Sequence, residues 1–182
     1  YNADNGFAVS SNFTSQKGNT TGILTDEAAT SWATQVGFTK PQYSVSAIMN
    51  LKYNGWSDSY FQSVDGKARG GDGSSTNIGL RGWWRPESTG TATPSISVGY
   101  DTSETDATGN SNTTAYFVGL NWQDIINADD RIGVAFGQPQ KHEDDTVDPF
   151  LYEVYYDYKI NDSVSVTPTF FGGTSKNAAG AE

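Results

Sequence analysis

The densest group of chemically capable side chains is His142, Glu143, Asp144 and Asp145, with Asp148 just beyond. An imidazole and carboxylates together can bind a divalent cation, so these four are the candidate metal ligands. The plainer alternative is a solvated loop. Asp58, Asp65 and Asp72 form a second acidic group, but their spacing is wrong for an EF-hand. Glu153 and Asp157 would share one face of a strand, yet they stand too far apart there for an acid–base pair. The chain has one His, no Cys and no Gly-rich phosphate loop following a strand. No nucleophile–base–acid set can be assembled from it, so the expectation is a protein that is not an enzyme and uses no cofactor.

Charge narrows the partners. The 21 Asp and Glu outnumber the 11 Lys and Arg, giving a formal net charge of −10 and arguing against nucleic acid. Aromatic residues make up 13% of the chain, which argues against disorder, although the apolar share of 35% is low for a globular protein. No apolar run is long enough for a transmembrane helix.

The elements that must carry these residues show a period of two. Phe150, Tyr152, Val154, Tyr156, Tyr158 and Ile160 alternate with Leu151, Glu153, Tyr155, Asp157 and Lys159. The same alternation runs through residues 43–53, 77–85, 95–101, 115–123, 131–137 and 163–171, with weaker copies at 7–14 and 32–39. Such alternation marks half-buried strands, and about nine are expected, most near the length that spans a bilayer when tilted. Residues 124–130 offer at most one turn of helix.

Short and long connections alternate along the chain. Tight links fall near Pro41, at 86–94, at 124–130 and at Asn161–Asp162. Polar loops fill 15–28, 54–75, 102–112, 138–149 and the tail from Gly173. In an up-and-down meander one rim is then tight and the other loopy, as in outer-membrane barrels. The apolar faces of the clearest strands carry no charge. Phe38, Tyr43, Trp84, Trp122 and Tyr158 sit on them beside the tight rim, and Tyr53, Tyr100, Tyr116 and Tyr152 beside the loopy rim. Small aliphatics fill the middles, so the faces read as an aliphatic band between two aromatic belts.

The expected fold is therefore all-β: an antiparallel up-and-down transmembrane β-barrel in an outer membrane, with residues 1–182 forming part of a single barrel domain. The alternative is a soluble β-sandwich that binds carbohydrate. A barrel in lipid must close and takes an even strand count, so an odd number of strands implies that the last strand and earlier ones lie outside this sequence.

Four stretches carry a resemblance: 116–123 (YFVGLNWQ), 131–139 (RIGVAFGQP), 152–159 (YEVYYDYK) and 164–173 (VSVTPTFFGG), with 50–56 (NLKYNGW) and the Gly-rich stretch 66–75 upstream. They resemble the C-terminal half of the OprB-like carbohydrate-selective porins, in particular the cyanobacterial branch called iron uptake porins. The resemblance implies a barrel of about sixteen strands. It also implies an N-terminal cell-wall-binding domain, followed by a coiled coil, which this sequence lacks.

The expected function is passive diffusion of inorganic ions and small polar solutes, sugars or iron species among the candidates, through a water-filled pore. The candidate pore-lining residues are Lys52, Arg81, Arg85, Asp101, Arg131, Glu153, Asp157 and Lys159, with Trp83, Phe117 and Tyr155 as aromatic neighbours on the same faces. Acidic loops would give a cation-favouring mouth above a more basic wall. The expected partners are outer-membrane lipid, small ions and polar solutes, further copies in a candidate homotrimer, and a cell-wall polymer through a domain outside this chain.

Overall fold

The computed structural model describes residues 1–54, 56, 73–106 and 112–174. The chain forms one antiparallel up-and-down sheet. Its strands are β1 (Phe7–Ser15), β2 (Thr30–Lys40), β3 (Tyr43–Tyr53), β4 (Ser75–Trp84), β5 (Ser95–Thr105), β6 (Thr113–Gln123), β7 (Arg131–His142), β8 (Phe150–Asn161), β9 (Val164–Val166) and β10 (Thr169–Thr174). Strands β1 to β8 each pair with the next in sequence, and both β9 and β10 pair with β8. Helix among the described residues is confined to one short turn, α1 (Gly18–Thr21). Among the described residues the sheet is open: β1 pairs only with β2, and β10 only with β8. The start of β1 is partly covered, because Val9 N–H donates to Tyr1 O at 2.9 Å and Ala3 N–H donates to Phe7 O at 2.7 Å.

The expected period holds across the sheet, since register sets like residues side by side. One row of the apolar face runs Val36, Ala47, Leu80, Tyr100, Tyr116 in directly opposed pairs. Another runs Val98, Val118, Phe136, Tyr152. Beta-branched and aromatic residues suit such positions because their bulk packs against cross-strand neighbours. Aromatic pairs cluster near the strand ends: Phe38–Tyr43 at 6.2 Å beside the tight rim, Phe136–Phe150 at 6.3 Å and Tyr152–Phe170 at 6.1 Å towards the other. There is no second layer among the described residues. Ala28 and Pro149 are their only buried apolar side chains, while Val45, Leu80, Val98 and Val154 are all more than two-fifths exposed.

Several boundaries differ from those read in the sequence. Strand β7 runs on to His142, and β5 to Thr105, because their polar ends still find ladder partners: His142 opposes Thr113, and Thr105 opposes Ser75. A register shift between Thr114 and Tyr116 lets β6 follow the longer β7. The segment expected at 163–171 is split into β9 and β10 around Thr167 and Pro168, since proline has no N–H to give the ladder. The apolar face does carry charge at strand ends. Lys40 shares it with Phe38, and its Nζ stands 5.3 Å from the Phe38 ring centre. A long aliphatic stem allows this at the end of a strand.

Residues 124–130 form no helix. They make a knot centred on Asp130, which is 1% exposed. Its carboxylate accepts the N–H groups of Ile125 (3.0 Å), Ile126 (3.1 Å) and Asn127 (2.9 Å), and the Tyr156 hydroxyl at 3.0 Å. Asp129 N–H donates to the Asp124 carboxylate at 2.7 Å, and both aspartates hold left-handed backbone. Burial alone would push the Asp130 carboxyl up, but the hydrogen bonds from Asn127, Tyr156, Ile126 and Ile125 outweigh it and hold the group below its ordinary value. A depressed carboxyl contributes stability that is present above its unfolded value, about 3.9, and is lost as pH falls through the folded one. Asp130→Ala should lower the thermal midpoint by a few degrees at neutral pH. The parent should lose part of its advantage over Asp130→Ala on acidification below about pH 4. Circular dichroism melts of parent and variant across that range check both points, and an advantage independent of pH would show that the knot does not depend on the charge.

Candidate functional site

The face opposite the apolar one collects most of the charge in the strands. At its centre Arg81 on β4 and Asp101 on β5 form an ion pair of 2.7 Å, both side chains partly exposed. Arg81 also donates to the carbonyls of Leu80 (2.9 Å) and Tyr100 (3.3 Å), and its guanidinium stands 5.7 Å from the Phe117 ring centre. Gly79 opposes Asp101, and a Cβ there would meet Asp101 Oδ1 at 2.8 Å. The missing side chain is what lets the pair lie against the sheet.

Toward the loopy rim the face becomes a row of small polar groups. Ser31 Oγ donates to Asn50 Oδ1 (2.8 Å), Asn77 Nδ2 to Asn50 O (3.0 Å), and Ser103 Oγ to Asn77 Oδ1 (2.5 Å). This chain crosses four strands, from β2 to β5. Beside it is a cavity of about 520 Å³ lined by Asn50, Asn77, Arg81, Asp101, Thr113 and Gln140. Sequence reading passed over these amides and hydroxyls, although Asn50 and Asn77 fall on the polar side of the alternation. They carry no charge, and only the register shows that they meet.

The eight candidate lining residues have unequal fates. Arg81, Asp101, Arg131, Glu153, Asp157 and Lys159 lie on the polar face across β4 to β8. Lys52 lies on it too but is 4% exposed, in the buried polar row with Asn77, Ser103 and Thr113, so it does not project into open solvent. Arg85 is one residue past β4 and binds the tight turn instead. Its Nε donates to Pro41 O at 2.7 Å, and its guanidinium stands 5.6 Å from the Trp83 ring. Near that rim Lys159 bridges Asp129 (3.3 Å) and Asp162 (3.2 Å), and Asp157 accepts the Thr167 hydroxyl at 2.7 Å. The turn carboxylates Asp129 and Asp162 thus offset the basic excess expected of this wall. Arg131 opposes Asp157 in register without an ion pair, and Glu153 makes no ion pair or hydrogen bond among the described residues.

Aromatic side chains on this face lie over glycines. A Cβ on Gly99 would meet the Phe117 ring at 2.2 Å, and one on Gly133 would meet the Tyr155 ring at 2.1 Å. The Tyr155 hydroxyl accepts from Asn121 Nδ2 at 3.1 Å, which pins that ring.

The proposed metal ligands do not converge. His142 ends β7 on the buried side, and its backbone N–H donates to Asp145 Oδ2 at 2.9 Å. Glu143 accepts from Asn112 Nδ2 at 3.2 Å, Asp148 pairs with Lys141, and Asp144 is exposed. Among the described residues no three His, Asp or Glu side chains gather as a metal would need. Strand β7 continues through His142 where a loop was expected, which buries that side chain, while Asp145 is engaged by the His142 N–H and Glu143 by Asn112. Asp58, Asp65 and Asp72 fall outside the described residues, as do most of the Gly-rich stretch 66–75 and the tail beyond Thr174. No protein family, no curated protein and no solved structure matches this chain.

Proposed function

We propose that this sheet is a stretch of an outer-membrane β-barrel wall, and that its polar face lines a water-filled path for passive diffusion of ions and small polar solutes. One observation carries the reading. The sheet is a single layer whose apolar face has an aliphatic middle, aromatic ends and charge only at strand termini, with nothing covering it among the described residues. Water penalises so large an exposed apolar face, whereas lipid favours it, and aromatic girdles suit the two interfaces. Strand length agrees. The 11 residues of β3 extend about 33 Å, which spans roughly 25 Å of hydrocarbon at the usual tilt. The carbohydrate-binding sandwich would need a second sheet over this face.

On this reading the resemblance to carbohydrate-selective porins supplies the solute class, ions and small sugars among them. The free edges of β1 and β10 are where closure would take place. The described loop at 143–149 is acidic, and Asp26 and Glu27 join it at the same rim. An acidic mouth concentrates cations at low salt, while the wall beneath it, with Lys159 and Arg81 paired, is nearly balanced.

Two measurements test the proposal. The protein should fold into detergent micelles or lipid vesicles, and Val98→Lys, at the middle of the apolar face, should cost about 2–4 kcal/mol of folding free energy in lipid. A chain that folds as a monomer in detergent-free buffer would end the membrane reading. In planar bilayers the intact protein should conduct, with reversal potentials in a salt gradient favouring cations. Neutralising Glu143, Asp144 and Asp145 should reduce that preference. Anion selectivity indifferent to those three changes would remove the acidic-mouth argument.

A further inference from the structure

One region of the polar face is largely apolar. Next to Asp101 it opens into a cavity of about 670 Å³ whose lining includes Phe117, Ala135, Leu151, Glu153 and Phe171. That volume is typical of small-molecule sites. Register lays out its floor. Phe117 opposes Gly137, which opposes Leu151; Ala135 opposes Glu153, which opposes Phe171. Phe117 is 40% exposed, Leu151 44% and Phe171 74%, unusual values for large apolar groups on the wetted side of such a sheet. A polar pathway needs none of them.

The charges at this place are unequal in their engagement. Asp101 is held by Arg81 at 2.7 Å. Glu153 is exposed beside Ala135, Leu151 and Phe171, with no ion pair or hydrogen bond from any described residue. A carboxylate against apolar walls lacks a counter-ion, and the walls lack an apolar partner. A single kind of guest satisfies both. The Phe117 ring already receives one cation, the Arg81 guanidinium, on this face, and aromatic faces attract quaternary ammonium groups in the same way.

We propose that this cavity is a binding site for a small organic cation with an apolar or aromatic body, its charge at Glu153 and its body laid over Ala135 and Gly137 toward Phe117. Glu153 and Phe117 are two strand spacings across and two residues along from each other, about 12 Å, so the guest is elongated. An inorganic ion would satisfy the carboxylate but leave Leu151 and Phe171 wet. A neutral sugar would leave Glu153 without a counter-charge.

The site rests on the reading that this face is open to solution, but its test does not need a conducting pore. Benzyltrimethylammonium is titrated by calorimetry into the protein folded in detergent micelles. Saturable binding is expected, weakened about tenfold or more by Glu153→Gln and also by Phe171→Ala. Benzyl alcohol, of similar body and no charge, should not compete at equal concentration. Glu153 supports no described contact, so Glu153→Gln should keep the parent's circular dichroism spectrum and separate binding from folding. Absence of saturable binding, or equal affinity for Glu153→Gln, overturns the site. Binding in a protein that fails to conduct leaves the site standing and ends the porin reading alone; conduction without binding does the reverse.

Discussion

Hydrogen bonding between neighbouring strands is the constraint from which the other features of this protein follow. A single-layer sheet has no interior, and here just two apolar side chains, Ala28 and Pro149, are buried among the described residues. The ladder therefore does the work that a core does elsewhere, and it does so with a period of two. A slip of one residue would exchange the two faces along a whole strand. Several local devices hold the register. Asp130 gathers three N–H groups and a hydroxyl at the β6–β7 turn, Arg85 ties β4 to the β2–β3 turn through Pro41, and Trp122 Nε1 donates to Ala92 O at 2.8 Å across the next link. All lie at the tight rim, where the connections are short enough for side chains to reach back.

The strength of this constraint explains what could be read from the residues alone. Alternation depends on face, and face depends on register, so the strands and both their faces were legible wherever apolar and polar residues alternate cleanly, as from Phe150 to Ile160. Strand ends were not. Residues 138–142 are polar, and composition placed them in a loop, yet β6 continues to pair with them as far as His142. Hydrophobic pattern reports what a side chain faces, whereas a ladder bond depends only on the backbone. The same gap accounts for the metal reading: four adjacent ligand-type residues at 142–145 look concentrated in sequence, but His142 ends the strand with its side chain buried, and the turn after it engages Asp145 with the His142 N–H and Glu143 with Asn112.

Side-chain engagement was the least legible layer. Lys52 and Arg81 share the polar side of the pattern, yet one is 4% exposed and the other is an accessible half of an ion pair. Asp130 and Asp129 are neighbours in sequence. One is almost wholly buried among donors, and the other bridges to Lys159 at 3.3 Å. These differences come from contacts between strands far apart in sequence, such as Tyr156 with Asp130, which no local period records.

The placement of the aromatics on the polar face bears on how wide a path it could border. Phe117 and Tyr155 are large, and rings standing upright from the wall would narrow the space in front of it. Each instead leans across the groove onto a glycine in the adjacent strand, Gly99 and Gly133 in turn. The paired strand gives up a side chain so that the ring can lie against the backbone. The arrangement covers the polar ladder with apolar surface while keeping the wall thin. It also presents ring surface toward the open side, where a cation or a flat solute could slide along it. The same economy appears at Gly79, which lets the Arg81–Asp101 pair lie low. Width, apolar patches and local charge on this face are thus set by which strand carries the glycine, and a lining list read from charged residues alone would miss the positions that shape it.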